Sequence, residues 1–253
     1  MFNTTDVKVV LITGALSDIG RATAQAFARA GYAIVLNHRR EAEQATRFAD
    51  SLVHDWNAPQ AVTIQADVRH RSEVQSLFEQ TYRRFGRLDV LINNAGINRD
   101  KPFLEMSDDE WDTVVSTILN GTFMCSQEFA RRYRGTAGNI INIGAVTAVK
   151  GRKNGANYCS ARAGVLALTK CMAMELAPNI RVNTVTPGRI DTEEMRKRYQ
   201  FDDTHNRERY EQDIPMARMG NPADIASMML FLVETGKYIT GQNFFVDGGL
   251  FMR

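Results

Sequence analysis

Seven short apolar runs, each followed by a longer amphipathic stretch, restrict what this chain can fold into more than any other feature. They read "KVVLI", "YAIVLN", "AVTIQ", "LDVLINN", "NIINIG", "IRVNTV" and "NFFVDG". Most are apolar at successive positions and do not alternate, so both faces of each strand must be covered. Helices between strands allow parallel pairing, and a parallel sheet with helices on both faces is the expected architecture. The 253 residues suffice for one α/β domain with a full core. No repeat or low-complexity linker divides them.

Several helix boundaries carry their own signals. Ser107 with Glu110 makes a capping box ahead of "EWDTVVSTILNGTFMCSQEFARRY". Asn221 before Pro222 reads as an N-cap with proline at the first helical position, and Gly31 closes the first long helix. The segment 189–220 is strongly charged and interrupts the βα rhythm. An excursion of that length is expected to be a flexible lid on an otherwise single domain spanning 1–253.

Composition excludes some functions. A formal net charge of +2 is too small to argue for nucleic acid or an anionic membrane surface. Arg131, Arg132 and Arg134 are explained as well by a solvated helix end as by a partner. The three cysteines (Cys125, Cys159, Cys171) lie in expected helices with no metal-ligand spacing, so no metal site is expected and a reducing compartment is. No apolar run reaches the length of a membrane span. The opening "MFNTTDVKVVLITG" runs into a strand without a signal peptide, which makes cytoplasmic residence the expectation.

The first strand leads into "TGALSDIGRATAQAFARAG", a glycine-bearing turn that opens a helix. Free backbone amides and the helix dipole favour a phosphate there. Three further blocks follow the later strands: "LINNAG", "NYCSAR" and "PGRIDT". In this order and spacing the four blocks resemble the short-chain dehydrogenase/reductase family, most closely its 3-oxoacyl-thioester (acyl-carrier-protein) reductases. "NNAGINRDKPFLEMSDDEW", "RMGNPADIA" and "YITGQNFFVDGG" extend the resemblance over essentially the whole chain.

The resemblance implies a doubly wound Rossmann fold, a seven-stranded parallel sheet with helices on both faces, and an NADP or NAD cofactor. Gly14, Ile19 and Gly20 would line the pyrophosphate turn and Asp67 would hold the adenine edge. Asn93, Ala95 and Gly96 would pack near the adenine ribose, while Ile190 and Thr192 would meet the nicotinamide amide. The second strand ends "LNHRRE", with no acid to grip a 2′-hydroxyl. Arg39 stands where NADP-dependent members place a cation for the 2′-phosphate, although Arg39 and Arg40 also read as plain surface charges. Asp18 departs from the pattern by replacing the middle glycine of the turn. Two charges 4 Å apart at an effective dielectric of 20 repel by roughly 4 kcal/mol, so a carboxylate facing the pyrophosphate would weaken or abolish binding. Alternatively Asp18 is an N-cap turned back onto the helix amides, near Arg21.

The family's chemistry uses a tyrosine, a lysine one turn later, a serine and an asparagine. Here Tyr158 is kept and Arg162 replaces the lysine. Ala145 stands at the serine position and Ile118 at the asparagine position. The i, i+4 spacing puts Tyr158 and Arg162 on one helix face. Arg162 keeps the charge but not an ammonium's geometry. Losing one preorganised donor to a developing oxyanion costs ~10²–10³ in rate, and such losses need not multiply. Thr147 is either a rescue hydroxyl or a packing residue, and Tyr158 either an acid or a pocket wall. Two functions follow. One is a weak or silent subunit of an oxidoreductase acting on a 3-oxoacyl or 3-hydroxyacyl thioester, supporting an active partner in a homo- or hetero-tetramer. The other is a self-sufficient NAD(P)-dependent enzyme running on Tyr158 and Arg162. The apolar C-terminal "FFVDGGLFMR" and Met216, Met219, Met228 and Met229 suit a tetramer interface or ordinary core packing. The basic lid residues Arg196, Lys197, Arg198, Arg207 and Arg209 suit a phosphate-bearing thioester or plain solvent exposure.

Overall fold

The structure is a computed structural model that describes residues 7–201 and 203–252. The reading of the extreme N-terminus falls on residues 1–6, outside the described residues.

Seven strands are described: β1 Val9–Ile12, β2 Ala33–His38, β3 Ala61–Gln65, β4 Val90–Asn93, β5 Gly138–Ile143, β6 Ile180–Pro187 and β7 Asn243–Val246. Between them run α1 Asp18–Arg29, α2 Ala42–His54, α3 Arg71–Phe85, α4 Asp108–Val115, α5 Gly121–Arg132, α6 Thr147–Lys150, α7 Ala156–Leu176, α8 Glu193–Tyr199, α9 Thr204–Gln212 and α10 Pro222–Glu234. All strands pair in parallel in the order β3-β2-β1-β4-β5-β6-β7. Each expected strand run forms a strand, with ends shifted by one or two residues.

The two-residue period of a strand divides the core. Val10 and Ile12 of β1 face α1, α2 and α10 and pack with Phe27, Leu52 and Met229. Val9 and Leu11 face the other way, against Phe78 of α3, Phe129 of α5 and Val182. Buried apolar surface contributes about 25 cal/mol per Å², so both layers hold the sheet between helices. The order reverses between β1 and β4, and an open α/β sheet has its crevice at that switch, beyond the strands' carboxyl ends.

The caps form as their residues dictate. Ser107 and Glu110 close a reciprocal capping box, and Asn221 makes one with Asp224 behind Pro222. "EWDTVVSTILNGTFMCSQEF" is not one continuous α-helix: Ser116–Asn120 widens into a π-helical turn between α4 and α5. The segment 189–220 folds into α8 and α9 around an aromatic cluster of Tyr199, Phe201 and Tyr210. A single bridge, Ile190 to Gly220, fastens its base. Met219 and Met229 are buried and Met228 packs on the core, so of the four methionines considered for an interface only Met216 is largely exposed.

Candidate functional site

The β1–α1 turn is held by close backbone approach. Gly14 has φ of +58°, and a Cβ there would stand 2.9 Å from Ala95 Cα. Asn94 fastens the turn from β4, its amide donating to the carbonyls of Thr13 (3.0 Å) and Gly14 (2.8 Å) and to Ser17 Oγ (3.1 Å). Ser17 is the N-cap of α1, accepting from the Gly20 amide.

Of the two readings of Asp18, the N-cap is the one the structure does not bear out. It is not the cap, and its carboxylate does not fold back onto the helix. Asp18 Oδ2 accepts from the Glu193 amide at 2.7 Å, across to the first residue of α8. Arg21 is elsewhere, donating to the Leu16 carbonyl and lying over the Phe48 ring.

One cleft of about 990 Å³ runs from this turn to Tyr158. Gly14, Asp18, Ile19, Arg39, Asp67, Ala95, Gly96, Ala145, Tyr158, Arg162, Ile190 and Thr192 all line it, so the structure brings most of the expected residues together. Three do not reach it. Gly20 is buried beneath the turn, where a Cβ would meet the Gly14 carbonyl oxygen at 2.7 Å. Asn93 is also buried: its amide donates to Ser126 Oγ and Asn142 Oδ1, tying β4 to α5 and β5. The neighbour Asn94 is the one at the turn, a distinction "LINNAG" alone does not make. Ile118 is buried within the π-helical turn, in an apolar cluster with Val114, Ala161 and Val165 that packs against Tyr158.

Arg39 is exposed at the end of β2. Burial keeps the adjacent His38 imidazole below its ordinary pKa. Burial opposes ionisation of Asp67, but the bonds and charge of Arg69 outweigh it and hold the carboxyl below its usual range. Most basic residues of 189–220 are already paired. Arg196 and Arg207 share Asp191, Arg198 bridges Glu194 and Asp100, and Lys197 meets Glu193. These pairs leave those four cations less available to an anionic ligand than their number suggests.

Tyr158 is half-buried between two guanidinium groups. Arg162 Cζ lies 5.3 Å from its ring centroid and Arg152 Cζ lies 4.9 Å from it. Arg162 is buried and its Nη1 donates to the Ile143 carbonyl at 2.7 Å. Arg152 Nη2 holds Asn98 Oδ1 (3.0 Å) and Asp100 Oδ1 (2.6 Å). Sequence reasoning missed Arg152, since it lies in the loop "KGRKNGAN" before α7, where nothing local ties it to the tyrosine. Cys159, next to Tyr158, does not line the cleft.

The comparisons agree with this geometry. A family profile described as enoyl-(acyl carrier protein) reductase matches residues 14–251. A 3-oxoacyl-(acyl-carrier-protein) reductase of Synechocystis sp. is 39% identical over 251 residues, covering 97% of each chain. One of Staphylococcus aureus is 39% identical over 253 residues, covering 97% of this chain and 98% of its own. A crystal structure of a short-chain dehydrogenase/reductase from Brucella melitensis, titled also glucose/ribitol dehydrogenase, superposes with a TM-score of 0.89 at 31% identity, covering 97% of both chains.

The chain belongs to the short-chain dehydrogenase/reductase family. As a member it has the family's crevice at the β1–β4 switch, with Tyr158 and a cation one turn on at the same end of it. Ala145 and Ile118, the residues expected at the serine and asparagine positions, are both buried. The site therefore offers a phenol, two guanidinium groups and an anion-sized glycine turn, and no metal-binding cluster occurs among the described residues. No helix among the described residues is long and apolar enough to cross a membrane.

Proposed function

We propose that this protein is an NAD(P)-dependent oxidoreductase acting on a 3-oxoacyl or 3-hydroxyacyl thioester, with Tyr158 as its proton-handling group. One observation carries the reading: a single cleft joins the glycine turn to Tyr158 and Arg162, in a chain 39% identical along its length to 3-oxoacyl reductases. A dinucleotide fits the turn, because the Gly14 backbone approaches so closely that a side chain there would collide with Ala95. Gly14, Ile19, Asp67, Ala95, Gly96, Ile190 and Thr192 would hold it, and exposed Arg39 favours NADP over NAD. The bound cofactor supplies the hydride. Tyr158 gives its hydroxyl proton to the carbonyl oxygen as the carbon–oxygen π bond opens, and the charge of Arg162 beside the ring favours that loss.

We read 189–220 as a lid over the cofactor and a tetramer as the working assembly, with exposed Phe103, Leu104 and Phe123 available for contacts between copies. Three free thiols suit the reducing cytoplasm. A second reading, a weak or silent subunit serving an active partner chain, is favoured by Ala145, Ile118 and Asp18. Fluorescence titration with NADPH and NADH, followed by an acetoacetyl-coenzyme A reduction assay, separates the two. The expected result is tighter binding of NADPH than of NADH, with measurable turnover by the isolated chain. Binding without turnover would leave the silent subunit standing, and no binding of either nucleotide would sink the reductase reading in its favour.

A further inference from the structure

Eight buried side-chain polar atoms lack a hydrogen-bond partner among the described residues. Three of them belong to residues lining the Tyr158 end of the cleft: Thr147 Oγ1, Arg152 Nε and Arg162 Nε. A buried donor without an acceptor is costly, so three at one end of one cleft mark a place prepared for an acceptor atom.

Thr147 is the most informative of the three. A helical threonine ordinarily returns its hydroxyl to the carbonyl one turn earlier, as Thr23, Thr81, Thr117 and Thr169 do here at 2.7–2.8 Å. Four residues before Thr147 stands Ile143, whose carbonyl accepts instead from Arg162 Nη1. Thr147 opens α6 and Ile143 lies in β5, so no helical turn precedes the threonine to take its hydroxyl. The hydroxyl is left unspent, two residues beyond Ala145, which has none.

Building on the reductase reading, we infer that Thr147 is a catalytic residue, its hydroxyl donating to the substrate carbonyl oxygen in place of the hydroxyl that Ala145 lacks. As the carbonyl π bond opens, the carbon accepts the hydride and the oxygen takes the electron pair. Tyr158 delivers the proton to that oxygen. Thr147 keeps its own proton and only stabilises the charge. The ligand class is a carbonyl compound whose oxygen becomes anionic.

The test compares Thr147→Val, Thr147→Ser and the double variant Ala145→Ser/Thr147→Val, with NADPH and acetoacetyl-coenzyme A. Thr147→Val preserves shape, and thermal melting verifies the fold. Its kcat is expected to fall ~10²–10³-fold while KM rises no more than about 5-fold. Thr147→Ser retains activity within about 10-fold, and a serine at 145 recovers most of the loss, which a packing role would not allow. A Thr147→Val kcat within about 3-fold of the parent overturns the inference. If the parent shows no turnover, the reductase reading fails separately. Thr147 is then judged by calorimetric binding of acetoacetyl-coenzyme A to the NADP-loaded protein, where an affinity about 5-fold weaker in Thr147→Val supports the inference and an equal affinity overturns it.

Discussion

Arg162 is committed to the protein before any ligand arrives. One nitrogen holds the Ile143 carbonyl and the guanidinium carbon lies near the Tyr158 ring, so the group cannot swing out as an ammonium on a flexible stem would. Replacing Arg162 with Met removes the charge and its bond to the Ile143 carbonyl, and the desolvation of a buried charge is relieved. Stability should therefore change little, with melting lowered by no more than about 4 °C, roughly 1–2 kcal/mol for a chain of this size. Turnover should fall ~10²-fold or more, because the acid loses its charge partner. Differential scanning calorimetry beside the reduction assay checks both, and a large drop in melting with little change in kcat would make Arg162 purely structural. Tyr158, Arg162, Ala145 and Ile118 were singled out by the family resemblance that "NYCSAR", "INIGAV" and "STILNG" carry. Arg152 was not, because its approach to Tyr158 is made by the path of a loop.

Asp18 shows how an element boundary can mislead when read alone. In sequence it stands where a glycine belongs, and its neighbours suggest a cap. In the fold Ser17 caps α1 and Asp18 reaches the first amide of α8, so the phosphate turn and the 189–220 excursion are tied together. That contact joins residues 175 apart in sequence, beyond the reach of local rules. The carboxylate still lines the cleft beside the turn, so its charge acts on any pyrophosphate bound there. Asp18→Asn keeps an acceptor for Glu193 and removes the charge. NADPH should bind at least ~5-fold more tightly, the minimum expected for a unit charge at about 4 Å in bulk-water screening. Asp18→Ala loses the acceptor as well, and limited proteolysis within 189–220 should then speed up while Asp18→Asn stays slow. Unchanged NADPH affinity in Asp18→Asn would show the carboxylate already turned away from the phosphates. The strands, the Ser107–Glu110 capping box, the Asn221 cap and the excursion were readable because each is set by nearby residues. The π-helical turn at Ser116–Asn120 was not, since its apolar and polar pattern fits an ordinary helix.

For the whole molecule, the scaffold was legible because its signal is repeated: seven parallel strands and their helices restate one architecture. The site is a single placement of side chains from β1, β4, β5, α7 and the excursion, and no period announces it. Charge placement has a consequence at the same scale. Burial lowers the His38 pKa from its ordinary 6.5, so the unfolded chain binds a proton that the folded one resists. That contribution to stability is present above pH 6.5 and is lost as pH falls through the lower folded value. Burial alone would raise the carboxyls of Asp67 and Asp191, but their arginine partners override it and lower both below 3.8. Their contribution is present above that pH and is lost as pH falls below it through the depressed values. Melting temperature should therefore decline gently below pH 6.5 and steeply below about pH 4. Asp191 also joins Arg196 and Arg207 within the excursion, so Asp191→Asn should flatten the steep limb and hasten cleavage of 189–220 at neutral pH. A variant whose acid limb matches the parent's would place the controlling carboxylates elsewhere.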